Sequence, residues 1–235
     1  MNRPDILRRE KLAPAPRQRR SQRRRDSILR AAMARFGKDG YEGASVREIA
    51  RGAGVALGAV SQFFGSKRLL LLTSMDTLLR HLEAFGPPSF ADRSTVERDL
   101  EKFLREVFAR ERPFIGVYRA WQEAALIDSM IAAYDRQIRT WTRWRIHALF
   151  GLLAGLPGAR PRLDLEMLAE LWDRFFWNLL AHPPSDVEAA VASIAQTLTH
   201  SLILDTSAES IDSIGSPRRR RRSSGGSARR ASPPS

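Results

Sequence analysis

Cysteine is absent from all 235 residues, which removes disulfide frameworks and thiolate chemistry. Long apolar runs are missing too: no stretch of about 18 such residues occurs, so no membrane span is expected. The arginines near the N-terminus are not followed by an apolar stretch, so no secretory signal is expected either. Both absences fit a cytoplasmic, nucleoid-associated protein. Histidine is scarce, and His81, His147, His182 and His200 stand apart with no metal-ligand spacing. Neither a nucleophile motif nor a phosphate-cradling glycine loop appears. These gaps speak against an enzyme, and no metal or cofactor is expected. Alternating apolar and polar stretches are lacking as well, which leaves an all-α fold class.

What the chain does have is arginine, concentrated at its ends. Residues 1–25 carry ten basic and two acidic side chains, a balance of +8, and residues 217–235 carry seven arginines and no acid. Of the total charge of +13, these ends take +8 and +7, so residues 26–216 hold −2. Two like-charged ends on a near-neutral body point to a polyanionic partner, with double-stranded DNA first. A basic scaffold on RNA or an acidic membrane is the alternative, and tails that serve only solubility are the plainest reading. The 43% hydrophobic content is enough for a real core.

The pattern along the chain predicts about nine helices. Residues 1–21 read as a disordered basic arm. Ile28, Leu29, Ala32, Met33 and Phe36 mark one face of a helix over about 22–38, broken at Gly37–Gly40. Ser45 and Glu48 form a capping box that opens a short helix to about Ala50. A turn at 51–54 leads to a second short helix over about 56–64. Ser66 can cap a longer helix to Ala84, with Leu69, Leu72, Met75, Leu78 and Leu79 on its buried face. Phe85–Ser89 reads as a seam. Helical patterning resumes with a stripe of Val96, Leu100, Phe103, Leu104 and Phe108, then over 113–126, 129–154, 164–181 and 185–204. After Ser207 the composition decays into a low-complexity Arg/Ser-rich tail. The expected organisation is an arm (1–21), a DNA-binding head (22–84), a ligand-binding and dimerisation domain (85–207) and a tail (208–235).

Two short helices joined by a glycine turn make a helix-turn-helix, in which Val46, Ile49 and Ala50 pack on Val60 and Phe63. The match goes further. Residues 28–41 (ILRAAMARFGKDGY) resemble the opening helix of the TetR/AcrR family of transcriptional regulators, 42–50 its second helix, and 54–67 (GVALGAVSQFFGSK) its third helix and the entry to the fourth. The resemblance covers roughly residues 22–80. It implies a three-helix DNA-binding head, a helical effector domain, a homodimer and, in most members, repression relieved by a small molecule. The same head also serves activators. Two departures stand out: Ala56 replaces the usual Ser or Thr cap, and Ser61 replaces the usual aromatic.

On this reading Ser45 and Lys67, at helix N-termini, contact the DNA backbone, with Tyr41 and Arg47 as weaker candidates. Leu57, Gly58, Ala59, Ser61 and Gln62 face the bases; Gln62 suits adenine, and Leu57 or Ala59 a thymine methyl. Arg23, Arg24 and Arg25 of the arm track phosphates or a minor groove. Each residue has a plainer reading: Ser45 as a cap, Arg47 as solvated surface, Leu57 as internal packing.

Leu165, Leu168, Trp172, Phe175 and Leu179 fall at alternating spacings of three and four, one continuous seam. Val187, Val191, Ile194 and Leu198 repeat the trend on the last helix. Two such helices from each subunit make a four-helix bundle, the dimer interface the resemblance implies. Between seam and bundle the family keeps its effector cavity. Tyr118, Trp121, Trp141 and Trp144 are candidate walls for an apolar or cationic ligand, with core packing as the plainer alternative. The effector itself is unknown from sequence.

Overall fold

In a computed structural model, residues 1–11, 18–90 and 92–202 are described. The expectations for the tail 208–235 and for Arg17 fall outside these residues. Among them the fold is all-α, with nine α-helices and no strand: α1 Arg19–Gly43, α2 Val46–Ala53, α3 Leu57–Phe64, α4 Lys67–Ala84, α5 Val96–Glu111, α6 Val117–Ile127, α7 Ser129–Ala154, α8 Leu165–Ala181 and α9 Val187–Leu202. None of these helices is long and apolar enough to cross a membrane.

Short polar side chains start most of them. The hydroxyls of Ser45 and Ser66 accept the N–H groups of Glu48 and Leu69 at 3.2 and 3.1 Å. Asp128 and Asp164 do the same for α7 and α8. These contacts satisfy N–H groups that have no partner within a first turn. Only half of the expected box at α2 forms, because the Glu48 carboxylate turns to Arg51 and Arg35 at 3.2 and 3.5 Å. Gly54 ends α2 in the left-handed conformation, φ 66°. As expected from Ala56, α3 has no side-chain cap.

A single apolar cluster runs from Ile28 and Phe36 in α1 through Ile49, Val60 and Leu70–Leu72 to Trp121, Trp141 and Trp177. The expected seam at 85 is therefore no gap in the core, and a division there is one of role. A second cluster joins α5, the end of α7, α8 and α9 through Val96, Leu100, Phe150, Ala195 and Leu198.

The N-terminus differs from expectation. Residues 1–11, read as part of a disordered arm, lie along α4. Ile6 is fully buried in the main cluster. The Arg3 guanidinium reaches Asp76 at 2.6 Å and Glu83 at 2.9 Å, and Glu10 meets Arg68 at 2.8 Å. This segment covers the side of α4 that the sequence left for solvent, so α4 is buried almost all round from Leu70 to Leu79, including Ser74 and Asp76. Charge dominates residues 1–11 and hides the apolar pair Ile6–Leu7, which is what docks.

Candidate DNA-binding surface and ligand cavity

α1 begins at Arg19, not near residue 22, so the arm ends three residues earlier than expected and Arg23 and Arg24 lie past the first turn of the helix. Together with Arg19 and Arg20 they wall a cleft of about 580 Å³, closed on its other side by Ser27 and the α2–α3 turn at Ala53–Val55. The Ser27 hydroxyl donates to the Ala53 carbonyl at 3.1 Å and ties that turn to α1. Four arginines thus wall the cleft beside the turn of the helix-turn-helix, and among the described residues no acidic side chain lines it. Arg25 is different: its guanidinium lies 4.9 Å above the Phe64 ring and holds the head together.

On α3, Val60 and Phe64 point inward while Leu57, Gly58, Ser61 and Gln62 are exposed and Ala59 is half-buried. Leu57 is 48% exposed, which disfavours its internal-packing alternative. A Cβ on Gly58 would meet nothing within 4 Å, so this face stands open. Arg47 and Ser45 are exposed beside it.

The phosphate role read for Lys67 meets a correction. Its ammonium donates to the Tyr41 and Glu42 carbonyls at 2.9 and 3.4 Å and lies 4.6 Å over the Tyr41 ring. A cation is drawn to the unsatisfied carbonyls at the end of a helix, here α1. Lys67 and Tyr41 therefore clamp α1 to α4.

The break in α1 is at Gly40, φ 72° and ψ −173°, a region open essentially to glycine alone. There the Glu123 carboxylate of α6 accepts the Tyr41 N–H at 2.6 Å. Nearby, Arg119 donates to the Gly37 and Lys38 carbonyls at 3.0 and 3.2 Å. The end of α1 is thus pinned to α6 by Arg119 and Glu123. Neither residue was expected at this junction; a glycine pair at 37 and 40 opposite charged positions was the available signal.

Of the four candidate cavity aromatics, two are elsewhere. Tyr118 and Trp121 are buried, and both donate to Asp135, the indole at 2.9 Å. Arg139 bridges Asp135 and Asp173 at 3.0 and 3.5 Å, and Asp173 also accepts from Trp177 at 3.0 Å and from Thr142. Burial pushes the Tyr118 hydroxyl well above its usual range and raises Asp173 despite these donors. This is a hydrogen-bonded internal network. Trp141 and Trp144 do line a cavity, of about 240 Å³, between the Phe85–Pro88 linker, α5 and α7.

The expected dimer seam is mostly taken up within the chain. Val191, Ile194 and Leu198 are buried against α5, and Leu165, Leu168, Trp172 and Leu179 are half-buried on the second cluster, as Val187 is at the start of α9. Phe175 alone of that set is exposed, at 41%. It continues a different stripe with Met167 and Leu171, 58% and 56% exposed. Spacing reveals which faces are apolar, but not which of them the chain itself will cover.

Among the described residues no group of three His, Asp or Glu side chains is placed to hold a metal ion.

Comparison with known proteins agrees with this geometry. Residues 28–73 match the model of bacterial regulatory proteins of the tetR family. The HTH-type transcriptional regulator BetI of Rhizobium meliloti is 25% identical over 181 residues, which cover 72% of this chain and 84% of that one. BetI of Yersinia pestis (strain Pestoides F) is 41% identical over 59 residues, 25% of this chain and 30% of that one. Among solved structures, a transcriptional regulator from Saccharomonospora viridis in complex with choline superposes with a TM-score of 0.57 at 15% identity, over 77% of this chain and 98% of that one. That last likeness is one of fold.

Proposed function

We propose that the chain is a DNA-binding transcriptional regulator of the TetR family of bacterial regulatory proteins, a ligand-responsive repressor that grips a palindromic operator as a homodimer in the cytoplasm. Residues 22–84 serve as the reading head and residues 85–207 as the effector and dimerisation part. The observation that carries the DNA reading is the acid-free cleft of Arg19, Arg20, Arg23 and Arg24 beside the helix-turn-helix turn. Arginines there meet phosphate oxygens while α3 enters the major groove. The exposed face of α3 offers few polar groups, so affinity leans on phosphates and sequence choice on Gln62, Ser61 and Leu57.

Each phosphate contact contributes close to one unit to the dependence of log affinity on log salt. Replacing Arg20, Arg23 and Arg24 by alanine is expected to weaken operator binding and flatten that slope by about two to three units per head, or about five for the homodimer. Titrations onto the DNA upstream of its own gene, at several salt concentrations, measure this. An unchanged slope would assign the cleft another role. The substitutions leave residues 1–11 in place, which a truncation of the N-terminus would not.

For the dimer, the stripe of Met167, Leu171 and Phe175 is the supporting feature. Paired about a two-fold axis, two copies of α8 and α9 make a four-helix bundle and set two heads about 34 Å apart, one turn of DNA. Leu171→Glu is expected to leave the fold intact and give monomers by light scattering. A dimer of unchanged mass would move the interface elsewhere.

A further inference from the structure

The cavity beside Trp141 has a lining that speaks to the charge of its occupant. Its walls are apolar and aromatic, from Phe85, Phe103, Trp141, Trp144 and Phe176, and among the described residues no acidic side chain lines it. Arg145 is the one charged side chain among the lining residues. Its guanidinium is half-buried, donates to the Phe85 carbonyl at 2.5 Å, and makes no ion pair with a carboxylate among the described residues. Holding the Phe85 carbonyl needs only a neutral N–H, and a cation taken from water without a counter-ion is unfavourable. Desolvation accordingly lowers the Arg145 pKa from its ordinary value, against a smaller opposing pull from Glu83, whose carboxylate is itself paired with Arg3 at 2.9 Å. A guanidinium presents donors in a fork that matches a carboxylate.

We propose that this cavity binds a compact apolar anion, a flat or aliphatic carboxylate whose acid group pairs with Arg145 and whose body lies against Trp141 and Trp144. This rests on the ligand-responsive reading above and specifies its ligand class. A quaternary ammonium also favours aromatic faces, but the Trp141 face already carries the Arg145 guanidinium at 5.0 Å. A second cation would meet a like charge in a water-poor site. The volume of about 240 Å³ lies below the roughly 300 Å³ at which pockets for larger ligands begin, so the molecule is small.

The test compares three probes on the full-length protein by calorimetry: 1-naphthoate, the neutral 1-naphthalenemethanol, and choline. The carboxylate is expected to bind about 10- to 100-fold more tightly than the alcohol. Arg145→Gln, which keeps an N–H for the Phe85 carbonyl, is expected to erase that difference, and Arg145→Lys to restore part of it. Equal binding of acid and alcohol, tighter binding of choline, or no binding of the acid would each overturn the proposal, and the wild-type comparison decides even if a variant fails to fold. Operator affinity measured alongside separates the two claims. A carboxylate that binds through Arg145 without changing DNA affinity removes the regulatory reading and leaves the ligand class standing. DNA release by choline alone removes the ligand class and leaves the regulation.

Discussion

Gly116→Ala is expected to cost about 3 kcal/mol of stability or more and to loosen the head from the body. Gly116 lies in the left-handed region, φ 85°, which alone disfavours any L side chain by roughly 1–2 kcal/mol. A Cβ there would sit 2.7 Å from Gly37 Cα and 2.9 Å from the Gly37 carbonyl, both backbone atoms that cannot swing aside. Gly37 is the reciprocal case, its added Cβ lying 2.8 Å from the Ile115 carbonyl. The two glycines let α1 and the start of α6 touch backbone to backbone. Gly116 also donates its N–H to the Leu180 carbonyl at 3.0 Å, so the same residue ties α8 to this junction. A shift of its backbone disturbs three helices at once, and operator affinity should fall along with the denaturation midpoint. Gly151→Ala is the control: it lies within α7 with nothing within 4 Å of an added Cβ, and it should stabilise by about 0.5–1 kcal/mol. Equal midpoints for Gly116→Ala and the wild type would mean that the junction yields freely.

Glu111→Met is expected to do the opposite and raise stability by a few kcal/mol at neutral pH. Glu111 is fully buried at the end of α5, and neither carboxylate oxygen has a hydrogen-bond partner among the described residues. Burial pushes its carboxyl from near 4.5 up to about 8, against a smaller opposing pull from Arg110. The folded state therefore binds a proton that the unfolded state has already released at neutral pH. The stability this group allows is full below about pH 4.5, falls as pH rises, and levels off above about pH 8. The loss amounts to about 3 kcal/mol near pH 7 by linkage. Methionine fills similar space with no charge to bury, so the variant should gain that amount and lose this component of the pH dependence. Glu111→Gln should also flatten the profile with a smaller gain, because a buried amide still wants partners. Urea denaturation at pH 5, 7 and 9 reads all three. A parallel pH dependence in the wild type and Glu111→Met would show that the carboxyl is already neutralised by a partner.

The helix-turn-helix was legible in the sequence because its signals are local. Ser45 and Ser66 sit next to the turns they cap, Gly54 next to the turn it allows, and Val60 and Phe63 both pack on the main cluster as read, although the more deeply buried ring is Phe64. Failures came where the partner lies far along the chain. Lys67 reads as a free cation until α1 presents its last carbonyls, 25 and 26 residues upstream. Tyr118 and Trp121 read as cavity walls until Asp135 arrives from α7 to accept their hydrogen bonds. For the α8 and α9 seams periodicity counts apolar positions, and only the placement of α5 shows that α9 turns Ile194 and Leu198 inward. Residues 1–11 were the hardest, since one buried isoleucine among charges leaves no periodic trace.

That N-terminal segment carries a consequence for the order of folding. Ile6 is synthesised well before α4, yet its pocket needs α4, and the side chains beside Met1, Asn2 and Pro4 belong to α7 at Ala133, Arg136, Gln137 and Thr140. Arg3 waits some 70 residues for Asp76. Contacts so distant in sequence form late, because the loop between them must close first. The opening residues of the chain are thus a closing step of its assembly, and a nascent chain halted before residue 140 would hold them with half of their site still unmade.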